Sequence, residues 1–201
     1  MHASTPSISI EDAKLLARCR QGDLAAMEAL VVRYQDRIYN TILRICGDPD
    51  DAAELTQETF VKILEALDRF RGNSSFYTWA FRIAVNLTLN HCQRRGRIGW
   101  RSLDVEDDRG SSEAGSRLKD VLSDQGSVDP AIIAQDSELQ GLVRKALMEL
   151  DEPHRTMIVL RDIEGMSYTQ IADVLGIELG TVRSRLSRAR EGLRKVLESM
   201  L

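Results

Sequence analysis

The chain has 201 residues, 27 Lys+Arg against 31 Asp+Glu for a formal net charge of −4, and few aromatics, with 2 Trp, 4 Tyr and 4 Phe. That length allows one large domain or two small ones, and no apolar run approaches the roughly 20 residues of a membrane span. Cys19, Cys46 and Cys92 are widely spaced without a C-x-x-C, and His2, His91 and His154 form no metal-spaced cluster with them. These cysteines suit a reducing cytoplasm, and such cysteines are more often buried small hydrophobes than ligands or redox pairs. The start, Met-His-Ala-Ser-Thr-Pro-Ser, has neither a basic n-region nor an apolar core, so no secretion signal is expected. Leucine, alanine, arginine and glutamate abound and no alternating strand pattern persists, which predicts an all-α protein.

In an N-terminal module over 1–96, apolar spacing predicts helices at 10–21, 23–46, 50–69 and 75–94. Asp23 is placed to cap the second, and Gly47-Asp48-Pro49 separates it from the third. On a helical wheel of the third, Ala53, Thr56, Phe60, Ile63, Leu64 and Leu67 face inward. Asp51, Glu54, Leu55, Glu58, Val61, Lys62 and Glu65 then face outward, an acidic surface interrupted by two apolar residues. Such a face either docks another protein or is a solvated helix with two incidental apolar residues. The fourth helix follows Phe70-Arg71-Gly72-Asn73-Ser74 and opens with Phe76, Tyr77, Trp79 and Phe81 within six residues. Trp79, Ile83 and Leu87 share one stripe and are expected to pack. The remaining aromatics with Arg82, Asn86 and Asn90 would suit stacking on and hydrogen bonding to unpaired bases. Core packing of all these aromatics is the alternative.

The charge is unevenly spread. Residues 1–96 balance at 12 basic and 12 acidic groups and residues 141–201 carry 10 and 9, but residues 97–140 carry 5 and 10. With few apolar residues at helical spacing, 97–129 reads as a flexible acidic linker, with a short turn around Leu118–Leu122. Asp129-Pro130 marks the start of a C-terminal module over 130–201.

That module is expected to hold helices at 131–149, 153–163, 167–174 and 178–198, with Pro153 opening the second. Gly165 would close one helix and Ser167 cap the next, whose packing face is Tyr168, Ile171, Ala172 and Leu175; Gly176 supplies the turn after it. In the last helix Val182, Leu186, Ala189, Leu193 and Leu197 fall on one narrow face. Thr181, Ser184, Ser187, Arg188 and Lys195 point the other way, with Arg183 and Arg185 on the flanks. Residues 181–195 hold six Lys/Arg and one acid, Glu191. This is a helix-turn-helix pattern with an arginine-rich second helix, suited to the DNA major groove. An ordinary solvated basic face is the alternative; the capped preceding helix and the glycine turn argue against it. Because the whole chain is acidic, intrinsic DNA affinity should be weak and a partner required.

Five segments in order, Gly22–Ala26 with Tyr34, Asp51–Phe60, Phe70–Gly72, Phe76–Asn86, and Leu160–Arg161 through Ser167-Tyr168 to Gly180–Arg185, resemble the extracytoplasmic-function (ECF, group 4) sigma factors of bacterial RNA polymerase. The 76–86 segment is most similar to the envelope-stress members. The resemblance implies an all-α chain of sigma region 2 (1–96) and region 4 (130–201), joined by the linker. Asp51, Glu54, Leu55, Gln57 and Glu58 would dock on the β′ clamp helices of core polymerase, and region 4 on the β flap. Arg71, Phe76, Tyr77, Arg82, Asn86 and Asn90 would open and hold the −10 element, with Asn86 beside a captured non-template base. Thr181, Arg183, Ser184, Ser187 and Arg188 would read the −35 element; relatives often carry an aromatic or larger residue where this chain has Ser187. The linker would run near the RNA exit path. An anti-sigma factor would cover or wedge between the modules. The resemblance implies a cytoplasmic, non-catalytic protein with no cofactor, metal, small-molecule substrate or membrane insertion. A stand-alone helix-turn-helix regulator is the competing reading; it would bind DNA tightly without polymerase and leave the 76–81 aromatics in the core. An enzyme with an attached DNA reader is a third, for which no phosphate-cradling loop, activated nucleophile or metal cluster is visible.

Overall fold

In a computed structural model of the protein, residues 10–95 and 141–200 are described, and all their regular structure is helical. The predicted linker over 97–129 and the helix start at Asp129–Pro130 lie outside these residues. The chain divides into two compact units, Met1–His91 and Cys92–Leu201.

The first unit is built from α1 (Ile10–Cys19), α2 (Leu24–Cys46), α3 (Pro49–Ala66) and α4 (Phe76–Arg94), whose last three residues pass the boundary at His91. Asp23 caps α2 as expected, its carboxylate accepting from the Ala26 amide at 3.2 Å and from Arg18 Nε at 2.8 Å. The Arg18 hydrogen bond, helped by that amide, holds the Asp23 carboxyl below the usual carboxylate range. Gly47 ends α2 at φ 81°, its N–H bonded to the Leu43 carbonyl, a left-handed cap that costs glycine nothing. Asp48 then caps α3, with Pro49 at its start, and α3 tightens into a 3-10 turn over Leu67–Arg69.

Leu30, Ile38, Ile42 and Ile45 of α2, Ala52 and Ile63 of α3, and Phe76, Ala80, Phe81 and Ala84 of α4 are fully buried and form this core. Tyr34, Phe70, Phe76 and Trp79 cluster around it, with ring centroids 5.0–5.9 Å apart. Tyr34 Oη donates to Asp12 at 2.8 Å, and Arg33 bridges Asp12 and Glu11 at 2.8 and 2.9 Å, which fastens α1 to α2. Burial, then the Asp12 carboxylate, push the Tyr34 phenol upward. Cys19, Cys46 and Cys92 are free and buried; burial raises the Cys19 and Cys46 thiols, the opposite of what a reactive thiolate needs.

The second unit holds α5, described over 141–149, then α6 (Glu152–Ile158), α7 (Tyr168–Leu175) and α8 (Leu179–Met200). Asp151 caps α6 with Pro153 in its first turn, and α6 widens into a π-helical turn over Val159–Ile163. Leu147, Met157, Ile158, Leu160, Met166, Ile171, Val182, Leu186 and Ala189 are its buried apolar residues. Among them sit buried charges: Glu152, Arg155, Asp162, Glu164 and Arg185.

Candidate nucleic-acid and polymerase-docking surfaces

The helix-turn-helix is α7–α8, and its local chemistry follows the sequence closely. Ser167 Oγ accepts from the Gln170 amide at 3.2 Å while Gln170 Oε1 accepts from the Ser167 amide at 2.8 Å, a reciprocal capping box. Gly165 and Gly176 adopt φ of 70° and 66°, so the chain turns where a left-handed residue is needed on either side of α7. The packing face of α7 differs from expectation: Ile171 and Val174 are buried, whereas Tyr168, Ala172 and Leu175 are only half-buried. Arg161 lies 5.1 Å over the Tyr168 ring and donates to the Met166 carbonyl at 2.7 Å, so Tyr168 anchors the α6–α7 turn by its ring.

Along α8, Val182, Leu186, Ala189 and Leu193 pack inward as expected, and Leu197 is half-buried. Arg183 is exposed, and Thr181, Ser184, Ser187 and Arg188 are half-buried. Two of the arginines are not surface groups. Arg185, expected on the flank, is 6% exposed. Arg190 donates from Nε and Nη2 to the two Asp162 oxygens at 3.1 and 2.6 Å, and this bond raises its guanidinium further above its ordinary value. Nearer the C-terminus, Lys195 pairs with Glu191 at 2.8 Å and Arg194 with Glu198 at 3.8 Å. The basic surplus is therefore concentrated in the first half of the helix, beside the turn.

On α3 the buried stripe is Asp51, Ala52, Leu55, Thr59, Phe60 and Ile63, rotated by about 85° from the expected one, close to the 100° step between residues. Leu55 is 4% exposed, so its side chain is core and not part of an outward docking face. Asp51 is also buried, its carboxylate 3.2 Å from His91 Nε2 on α4. The exposed face carries Asp50, Glu54, Gln57, Glu58, Lys62 and Glu65 around Val61, which is 54% exposed. The wheel misplaced the stripe because α3 has apolar residues on both edges; which edge is buried depends on how α2 packs against it.

The α4 face also needs correction. Phe76, expected toward DNA, is 1% exposed and surrounded by Tyr34, Phe70 and Trp79. Trp79, Ile83 and Leu87, expected to be fully packed, are half-buried, so Trp79 is the aromatic of that cluster that reaches the surface. Arg71, Asn86 and Asn90 are exposed and Arg82 is half-buried. From Arg69 to Arg95 the chain has five arginines and no acid. Tyr77 is half-buried, with the Phe81 ring 4.2 Å away and the Arg37 guanidinium 4.3 Å over its own ring. Arg37, exposed on α2, was not singled out by the sequence, because its contact with Tyr77 joins two helices and leaves no local signal. A stack of this kind contributes about 0.5–1 kcal/mol at exposed sites.

The sigma-70 region 2 family matches residues 30–98 and the sigma-70 region 4 family matches residues 140–193. The RNA polymerase sigma-H factor of Pseudomonas aeruginosa is 39% identical over 95% of this chain and 96% of its own length. This chain belongs to the ECF sigma factors. The ECF RNA polymerase sigma-E factor of Escherichia coli K12 is 36% identical over 97% of this sigma factor and 98% of the relative. Among solved structures, CnrH in complex with the cytosolic domain of CnrY superposes with a TM-score of 0.60 at 25% identity, covering 92% of this chain and 96% of that one. The sigma factor RpoE of Bartonella quintana, in complex with the anti-sigma factor NepR, also gives 0.60, at 26% identity over 85% and 96%. The sigma factor has no described helix long and apolar enough to cross a membrane.

Proposed function

We propose that this sigma factor joins core RNA polymerase in the cytoplasm and directs initiation at promoters with paired −35 and −10 elements. Region 2 spans 1–96 and region 4 spans 130–201, with 97–129 as the tether between them. Glu54, Gln57 and Glu58 on the exposed face of α3 are the polar contacts to the β′ clamp helices, with Val61 at their centre. The burial of Leu55 and Asp51 makes them supports of that face, Asp51 through His91. Arg71, Arg82, Asn86 and Asn90 meet the −10 element, Trp79 offering the accessible ring and Phe76 the floor beneath it. Region 4 docks on the β flap and presents Thr181, Arg183, Ser184, Ser187 and Arg188 to the −35 groove.

The observation that carries this reading is the pairing, in one chain, of a helix-turn-helix whose first helix is capped at both ends with an acid-free arginine and asparagine face on α4. Each reader alone binds weakly, since the chain as a whole is acidic and phosphate neutralisation dominates non-specific affinity. Polymerase fixes both readers on one surface, so the second engagement becomes intramolecular and avidity rises by effective concentration. Unpaired bases held at α4 offset part of the melting cost, on the order of 1–3 kcal/mol for each stacked base. No residue of the chain takes part in bond making; the polymerase is the catalyst. The complex of RpoE with the anti-sigma factor NepR supports control of this chain by an anti-sigma factor.

The test is transcription from a promoter library by sigma-free core polymerase with and without the protein, beside a core-free DNA-binding control. Core-dependent initiation at a shared two-element promoter is the expected result. Tight binding without core and no initiation with it would overturn the proposal in favour of a stand-alone regulator.

A further inference from the structure

Arg20 stands in the turn between α1 and α2, immediately after α1. Its backbone is fixed there. The Arg20 N–H bonds to the Leu16 carbonyl at 3.1 Å, and Gly22, at φ 80°, bonds to the Cys19 carbonyl at 3.0 Å. From this base the side chain reaches the far end of α3. Nε and Nη2 both donate to the Leu67 carbonyl at 3.4 Å, and Nη2 donates to the Phe70 carbonyl at 2.5 Å. Leu67 and Phe70 bound the 3-10 turn that closes α3, the Phe70 N–H being bonded to the Leu67 carbonyl at 3.2 Å. Carbonyls at a helix C-terminus lack intrahelical partners and favour a cation, and one planar guanidinium serves both. Phe70 is where the chain turns extended, at φ −70° and ψ 108°. Its ring lies against Phe76 and Trp79. Exposed Arg71 follows, then Gly72 at φ 75°. At the other end Ser75 Oγ accepts from the Thr78 amide at 3.1 Å and opens α4.

We propose that Arg20 is a positioning residue for −10 recognition: by holding the Leu67 and Phe70 carbonyls it fixes the direction in which the 71–74 loop leaves α3, and with it the place where Arg71 meets the −10 element. The inference rests on the proposed role of region 2. The Phe70 oxygen and the Arg71 N–H belong to one rigid peptide plane, so a bond to that oxygen orients the step into Arg71. Ring packing anchors the Phe70 side chain but leaves that plane free to turn. Gly72 and Asn73 add no stiffness of their own, since both tolerate several backbone conformations. The loop therefore spans two fixed points, the Ser75 cap and the Arg20 clamp, and its ordering is complete before DNA arrives, which spares that cost on binding. Arg20 touches no nucleotide in this role; α1 acts on the −10 element through the loop.

The experiment uses holoenzyme assembled from core polymerase and full-length protein. Its binding to a fluorescein-labelled single strand carrying the library-selected −10 element is titrated across a series of salt concentrations, with a scrambled strand in parallel. Hydrogen bonds from a charged donor are strong enough that Arg20→Met should lower the preference for the selected strand by about tenfold. Arg20→Lys, which keeps the charge but not the planar fork, should lose part of that preference. The log–log salt slope should stay at the wild-type value in both, because no phosphate contact is lost. Arg18→Met is the control: Arg18 sits in the same turn, bonded to Asp23 at 2.8 Å, and its loss loosens the turn without freeing the loop carbonyls. It should keep the wild-type preference even where the melting temperature falls. Unchanged preference in both Arg20 variants, or an equal loss in Arg18→Met, overturns the proposal and leaves Arg20 as a staple between α1 and α3. A slope shallower by about 0.7 in Arg20→Met would place Arg20 on a phosphate and overturn the positioning role as well. A wild-type holoenzyme that does not prefer the selected strand overturns the base-reading role of region 2 instead.

Discussion

In the first unit, the polar groups buried among α2, α3 and α4 are largely threonines that bond to their own helix: Thr41 to the Arg37 carbonyl, Thr59 to Leu55 and Thr88 to Ala84, at 2.6–2.8 Å. These bonds satisfy the hydroxyls without saying anything about where one helix sits against another, and that task falls to the aromatic cluster of Tyr34, Phe70, Phe76 and Trp79. In the second unit, α6 and α8 are joined by a forked Asp162–Arg190 pair, with further charges buried nearby. Apolar packing tolerates small shifts, whereas a two-pronged guanidinium–carboxylate bond fixes both distance and rotation. Under the proposed function, in which α8 presents Arg183 and Ser184 to base edges in a set register, the helix gains from the second device.

The largest test of this contrast removes the centre of the aromatic cluster. Phe76→Ala should cost about 3–5 kcal/mol, the usual penalty for truncating a buried phenylalanine. Amide exchange should show the loss in α2–α4 with α6–α8 still protected; equal loss in both units would mean they are not separately stabilised. Next, Asp162→Ala leaves the Arg190 charge in a largely buried site and should cost about 3 kcal/mol in the second unit. The double variant Asp162→Leu/Arg190→Met should recover most of that stability in denaturant titrations, yet transcribe less from −35-dependent promoters, because the directional bond is gone. Recovery of stability and promoter use together would show that apolar packing sets the helix equally well.

Arg183→Ala should weaken −35 recognition by about 1–3 kcal/mol without lowering the melting temperature, read as promoter competition by the holoenzyme. Gly176→Ala should cost about 1–2 kcal/mol: its φ of 66° disfavours any side chain, although a Cβ there would meet nothing within 4 Å. The smallest effect concerns pH. The folded Asp23 carboxyl titrates below its unfolded value, so its contribution is present above about pH 4 and disappears as the pH falls through the folded value. The stability gap between wild type and Asp23→Ala should therefore narrow on acidification, and a gap that stays constant between about pH 6 and pH 2 counts against the Arg18–Asp23 bond.

Much of the molecule is legible in the sequence. Asp23, Ser167, Gly176 and Pro153 mark helix ends through chemistry confined to a few neighbouring residues, and the helices begin and end where those residues place them. The inward face of α8 was equally readable, since Val182, Leu186, Ala189 and Leu193 form one narrow stripe with no apolar competitor. On α3 and α4, apolar residues are spread around most of the helix, and the wheel placed Leu55 outside and Phe76 toward DNA. Both are buried, Phe76 among the rings of Tyr34, Phe70 and Trp79. Arg185, Arg190 and Arg37 show the same limit for charge, since an arginine code specifies a guanidinium but not what it will meet.

The sequence by itself determined the helices, their caps, the helix-turn-helix and the family, because those depend on residues close together along the chain. Only the tertiary structure decided which of several similar faces is covered, which arginines are held by carboxylates, and which aromatic reaches the surface. Those outcomes are set by contacts between helices, where a rotation of about one residue exchanges a core side chain for an exposed one.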